Sequence, residues 1–268
     1  MEPVSETVEL GDASIATTRW GHDAPSIVML HDGLGSAAQW RGVPAAIAKR
    51  TGRTVLAYDR PGHGGSTPTP TGPWPDDWLV EQAELLGALL AHFGTERPVL
   101  VGHSDGGTIA LIRATTDASI AGIVAIAAHT FVERVAIDFI RELRTDPAPV
   151  IAGLARHHAE PVALWEAWSG AWTSDRLAGF DIRPQLGSID VPVLVVQGDG
   201  DEYATMAQLT DTAAAIGDNA MPKLLPDTRH LPHHTTPDVV VELVHDFVAT
   251  HLDDSDDQGL DARPRAGR

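Results

Sequence analysis

The chain has 268 residues, enough for one large globular domain or one domain carrying an insertion. Its 25 Gly and 19 Pro follow no period and it has no Cys, which excludes collagen-like repeats, a disulfide framework, cysteine-ligated zinc, iron–sulfur clusters and a thiolate nucleophile. A formal net charge of −18 repels phosphate backbones and anionic lipid, so neither nucleic acid nor a membrane surface is an expected partner.

The first ten residues hold no basic residue and no apolar segment. The longest apolar run, Ile120–Ala128, falls far short of the roughly 20 residues of a spanning helix. The expectation is a soluble, cytoplasmic protein without a secretion signal.

In chain order, Val8–Leu10 and Ser14–Thr18 around Gly11-Asp12 suit an antiparallel hairpin at a sheet edge. Strand Ile27–Leu30, helix Ala37–Arg50 and strand Val55–Tyr58 follow. The helix Trp78–Phe93 repeats Leu79, Ala83, Leu86, Leu90 and Phe93 at steps of three or four, as a buried stripe requires. Next come strand Pro98–Val101, helix Gly106–Thr116 and strand Ile123–Ala127. From about Val132 to Ser188 the rhythm breaks into helical patterns with no strand, including Trp165, Trp168 and Trp172. Strand Val193–Val196, helix Thr205–Ile216, strand Lys223–Leu225 and helix Pro237–His251 complete the order. From Asp253 the chain is acidic and nearly free of large apolar residues, the composition of a disordered tail.

The strands are almost continuously apolar, as a parallel sheet covered by helices on both faces demands. The fold class is therefore α/β, a doubly wound, mostly parallel sheet, with 1–131 and 189–252 as the core, 132–188 as a helical insertion over it, and 253–268 as the tail.

Val99-Leu100-Val101-Gly102-His103-Ser104-Asp105-Gly106-Gly107 is an apolar strand running through G-x-S-x-G into a helix. On such a turn a serine hydroxyl projects above the carboxyl ends of the strands, and the helix N-terminus supplies N–H groups for a developing oxyanion.

Four other segments join it in chain order: His31-Asp32-Gly33-Leu34-Gly35, Asp59-Arg60-Pro61-Gly62-His63-Gly64-Gly65-Ser66, Gln197-Gly198-Asp199-Gly200-Asp201 and Thr228-Arg229-His230-Leu231-Pro232-His233. Together with the serine turn they resemble the α/β-hydrolase fold family, in its lid-bearing, serine esterase-like branch. The resemblance runs from about residue 8 to residue 252 and implies that the insertion is a lid. It also implies that the 31–35 loop carries an oxyanion donor, at Gly33 with Leu34 as the other candidate, beside the Asp105 N–H.

Chemistry points to the same residues. A serine hydroxyl needs a base within hydrogen-bond reach, and the base needs a carboxylate to hold its tautomer. Ser104, Asp201 and His230 stand in the order of this fold, with Asp199 and Glu202 as the other candidates for the acid. Any of the three carboxylates could instead cap its loop. His233 reads as a structural turn residue and His103 as packing under the serine turn. The run His230-Leu231-Pro232-His233-His234 has no placed carboxylate or Cys partner, so no metal site is expected.

Asp32 stands where the family has Gly. It and Asp105 either cap local backbone or bias the pocket toward neutral or cationic substrates. Arg60 is expected to buttress the site through a carboxylate, with substrate contact as the other reading. Trp165, Trp168 and Trp172 share one helical face, for packing between lid and core or for an apolar wall beside Leu34. His157 and His158 are expected in solvent.

The resulting expectation is hydrolysis of a small or medium, largely apolar ester through an acyl-enzyme, with a small-molecule substrate and no cofactor. Ser104 excludes the branches that use Asp at that turn. Carbon–carbon hydrolases, enol-lactonases, thioesterases and aminopeptidases share the triad, and a ligand-binding relative without catalysis is the alternative from another class.

Overall fold

The computed structural model describes residues 2–68 and 74–253. Strands β1 (Val4–Leu10) and β2 (Ala13–Trp20) form the expected hairpin, longer than the apolar pattern alone marks because Val4 pairs with Arg19. Then follow β3 (Ile27–Leu30), a 3-10 turn at Ala37–Trp40, α1 (Val43–Thr51), β4 (Val55–Tyr58), α2 (Trp78–His92), β5 (Val99–His103), α3 (Asp105–Ala114) and β6 (Gly122–Ile126). Four helices come next, α4 (Arg134–Leu143), α5 (Ala148–Leu154), α6 (Pro161–Trp172) and α7 (Arg183–Leu186). The chain returns through β7 (Val193–Gly198), α8 (Met206–Ile216), β8 (Ala220–Leu225), α9 (Pro232–Thr235) and α10 (Pro237–Val248).

The strands make one sheet in the order β1-β2-β4-β3-β5-β6-β7-β8, parallel from β4 to β8 with the hairpin antiparallel at one edge. Successive strand side chains alternate faces. Val28, Leu30, Leu56 and Leu100 pack toward α2, α3 and α8, while Ile27, Met29, Val55 and Val99 pack toward α1 and α10. Burial on both faces is why the polar alternation of a half-exposed sheet is missing from the sequence.

The helix expected over Ala37–Arg50 is divided. Arg41 has a left-handed φ of 54°, and α1 begins only at Val43 with Pro44 in its first turn. Within one continuous helix Pro44 would lack the N–H and collide with the carbonyl of Trp40; at a helix start it costs nothing.

Between β6 and β7 the insertion builds a small core of its own from Ile140, Leu154, Trp165, Trp168, Trp172 and Leu177. A bridge between Phe131 and Asp181 ties the start of the insertion to its last turn. The tail expected from Asp253 lies outside the described residues apart from Asp253, which ends a helical turn at Ala249–Asp253. Among the described residues no helix is long and apolar enough to cross a membrane.

Candidate active site

Ser104 sits between β5 and α3 with φ 52° and ψ −121°, a conformation that L residues rarely adopt. The turn is possible because Gly102 and Gly106, two residues to either side, have no side chains. A Cβ on Gly102 would lie 2.3 Å from the Gly106 carbonyl oxygen, and one on Gly106 would lie 2.3 Å from that of Leu30.

The loop after β8 brings His230 to this turn, with Nε2 3.1 Å from Ser104 Oγ. The loop after β7 brings Asp201, whose two carboxylate oxygens both lie 2.9 Å from His230 Nδ1. Asp201 is fixed in turn by the Gln197 amide and by the Tyr203 N–H at 2.9 Å. The other two acids are engaged elsewhere. Asp199 accepts from the Thr228 N–H, and Glu202 pairs with Arg229 and accepts from the His230 N–H.

Burial works to raise the Asp201 carboxyl, but the hydrogen bond and charge of His230 and the Tyr203 N–H outweigh it and hold it below the ordinary carboxylate value. The same contact runs the other way for His230. Burial works to lower it, and the bond and charge of Asp201 raise it above the ordinary histidine value.

Among the described residues, the N–H groups of Gly33 and Asp105, on the two loops beside Ser104, have no protein acceptor. The Leu34 N–H, the other candidate in that loop, is taken by Asp32 Oδ1 at 2.9 Å. Gly33 also has no room for a side chain, since a Cβ there would meet Trp168 Nε1 at 2.0 Å and Asp105 Oδ2 at 2.2 Å. Asp32 is thus a local cap. Asp105 is not, because Oδ2 accepts from Trp168 Nε1 of α6 at 3.1 Å. Burial pushes the Asp105 carboxyl up to about 6, against the opposing charge of Arg60 and the Trp168 hydrogen bond.

Ser104 and His230 open on a cavity of about 580 Å³ between the strand ends and the insertion. Of the residues singled out as pocket walls, Leu34, Trp168 and Trp172 line it, whereas Trp165 is fully buried inside the insertion's own core. Sequence reasoning missed Phe139, Ile140 and Leu143 of α4, which also line it, and His129 and Tyr203 beside His230. For α4 a signal existed, since Ala136, Phe139, Ile140 and Leu143 are spaced i, i+3, i+4, i+7.

Two expectations are corrected. Arg60 is fully buried and meets no carboxylate directly among the described residues; its Nη2 donates to the Asp32 carbonyl at 2.6 Å, so it braces the 31–35 loop through backbone. His158 is buried rather than solvated. Its Nδ1 accepts from the Gly64 N–H and its Nε2 donates to the Leu34 carbonyl, both at 3.0 Å, which joins the insertion to two loops of the core. His157 is exposed as expected.

Residues 27–243 match the Alpha/beta hydrolase family. A non-heme haloperoxidase of Rhodococcus erythropolis is 26% identical over 250 residues, covering 79% of this chain and 87% of that protein. Among solved structures, a proline iminopeptidase of Mycobacterium smegmatis superposes with a TM-score of 0.71 at 22% identity, covering 92% of this chain and 98% of the other. An enol-lactonase of Burkholderia xenovorans LB400 gives 0.71 at 24% identity, covering 91% of this chain and 100% of the other. These two are likenesses of fold. With the family match spanning most of the sheet and both ends of the Ser104–His230 pair, the chain belongs to the alpha/beta hydrolase family.

Proposed function

We propose that Ser104, His230 and Asp201 are the catalytic triad of a serine hydrolase that cleaves a small or medium, largely apolar ester through an acyl-enzyme. The observation that carries this reading is the unbroken relay from Ser104 Oγ through both nitrogens of His230 to Asp201, opening on a cavity with an apolar wall.

With Nδ1–H directed at Asp201, neutral His230 presents the Nε2 lone pair to the serine hydroxyl. Ser104 Oγ attacks the ester carbonyl carbon as its proton passes to Nε2. The carbonyl oxygen becomes an oxyanion, held by the Gly33 and Asp105 N–H groups at the start of α3. Collapse breaks the carbon–oxygen bond, and the leaving alcohol takes the proton from His230. Water then repeats the sequence against the acyl-enzyme and releases the acid and Ser104. Every step uses groups of the chain, the substrate and water.

In this reading residues 132–188 form a lid over a core made of 1–131 and 189–252, and Leu34, Trp168 and Trp172 contact the acyl or alcohol group. The enzyme is cytoplasmic and acts on a small molecule rather than on nucleic acid or a membrane surface, in keeping with its charge of −18. Fractionation of cells expressing the full chain checks the location.

The test is hydrolysis of p-nitrophenyl acetate to octanoate by wild type and Ser104→Ala, with intact-mass detection of the acyl adduct. Turnover by the wild type, an adduct on the Ser104 peptide, and a loss of about 10⁴-fold or more in the variant are expected. Equal rates in the two proteins would overturn the assignment.

A further inference from the structure

His103 lies behind the Ser104 turn, fully buried, with Nε2 2.7 Å from the carbonyl oxygen of His230. A carbonyl can only accept, so Nε2 carries a hydrogen, and in the neutral ring Nδ1 is then a bare lone pair. That lone pair faces Asp32 Oδ2 at 3.3 Å. The orientation of Asp32 is set from its other side, where Oδ1 accepts the Leu34 N–H. Nδ1 of His103 has no hydrogen bond of acceptable geometry. Either a proton on Nδ1 or a metal cation between the two atoms would satisfy both of them.

A third residue stands beside them. His233 is 3% exposed, and its Nδ1 has no hydrogen-bond partner among the described residues. Its ring lies 4.6 Å from that of His103 and 4.6 Å from that of Trp40, which packs against it. One ligand atom from each of Asp32, His103 and His233 falls within 4.8 Å of the others. The separation of Asp32 Oδ2 and His103 Nδ1, 3.3 Å, matches the about 3.4 Å between neighbouring ligands on a tetrahedral ion with bonds near 2.0–2.1 Å.

We infer that Asp32, His103 and His233 form a binding site for a divalent transition metal ion of the zinc class. Two imidazole nitrogens and one carboxylate suit Zn²⁺ or Co²⁺ and give no advantage to Mg²⁺ or Ca²⁺, which want oxygen ligands. The surroundings are those that orient such ligands. A metal-binding histidine donates its second N–H to a carbonyl or carboxylate, as His103 does to His230, and the ligating carboxylate is itself hydrogen-bonded, as Asp32 is by Leu34. Asp32 lines the cavity with 14% of its side chain exposed, which gives an ion a path inward.

The three ligands come from three loops. Asp32 precedes the oxyanion donor Gly33, His103 precedes Ser104, and His233 stands three residues after His230. A shared ion would pin these loops to one another and fix the distances on which the relay depends, while no step of hydrolysis passes through it. Chain spacing does not reveal the site, because its three ligands are far apart in the sequence and only the fold brings Asp32 and His103 to His233.

The test uses the full chain without an affinity tag, stripped with a chelator, dialysed against Zn²⁺ and counted by inductively coupled plasma mass spectrometry. About one ion per chain is expected, with apparent affinity falling ten- to hundredfold or more in Asp32→Asn and in His233→Gln. Glu242→Gln is the control, because Glu242, His245 and Asp246 form an exposed cluster on α10. Wild type that retains no Zn²⁺, or binding lost in Glu242→Gln and kept in the other two, overturns the site. The wild type alone also decides, should either buried variant fail to fold. Its Co²⁺ form should show two shifted imidazole spin systems, one keeping an exchangeable N–H. A doubly protonated His103 in nitrogen-15 spectra under excess Zn²⁺ would mean that a proton bridges the gap instead, and the inference would fail.

Discussion

In the proposed triad His230 works as a base only while neutral, and Asp201 decides at what pH that holds. The contact that lowers the Asp201 carboxyl raises His230 above its ordinary value of about 6.5. The acid limb of kcat/KM for ester hydrolysis should therefore rise through a pKa above that value, since the free enzyme must lose a proton to act. Asp201→Asn removes both the charge and the tautomer control. It should cost about 10⁴-fold in kcat and move the remaining acid limb to lower pH. Asp199→Asn, whose carboxylate accepts from the Thr228 N–H, should leave both the rate and the limb nearly where they are. A pH–rate series of the three proteins checks this, and an Asp199 effect as large as that of Asp201 would reassign the acid. The preference for Asp201 came from the resemblance to the family, which places the acid on this loop. The Trp168 to Asp105 bond was not legible, because it joins residues 63 apart in the chain across the insertion boundary.

At the scale of elements, the strands were legible because each is a short apolar run that must be buried on both faces, and β3 and β4 fall on the residues the pattern marks. What a one-dimensional pattern hides is punctuation inside a helix, as at Pro44, and the direction in which an insertion turns its faces. The α4 spacing shows an apolar stripe, but only the fold shows that Phe139, Ile140 and Leu143 look into the cavity rather than at another helix. Under the proposed function α4 is the element expected to limit acyl length. Leu143→Trp, which adds volume at that wall, should reduce kcat/KM for p-nitrophenyl octanoate at least tenfold relative to the acetate, on the scale that one or more methylenes carry in an apolar pocket. An unchanged chain-length profile with unchanged folding would place the acyl group elsewhere in the cavity.

For the molecule as a whole, two electrostatic effects oppose each other as the solution is acidified. A net charge of −18 implies self-repulsion that eases as carboxylates take up protons, which favours the folded state at lower pH. Against it stand histidines buried in the neutral form. Burial, with the charge of Arg60 for His63 and of His230 for His129, depresses both to about 3. Each is protonated near pH 6.5 in the unfolded chain but not in the folded one. Stability from these groups is therefore complete above about pH 6.5 and is lost as pH falls toward 3, at up to about 1.4 kcal/mol per pH unit for each residue. By pH 4 that amounts to about 3 kcal/mol per histidine, and two of them approach the 5–15 kcal/mol that holds a typical domain folded. His158, also lowered by burial, adds to the same side. The histidines should win: the urea midpoint should fall steeply from pH 6.5 to 4.5 at constant m-value. In His63→Gln, whose amide can still donate to the Gly33 carbonyl, the slope should fall by about one proton. A midpoint that stays level or rises over that range would show that relief of surface repulsion governs acid stability instead.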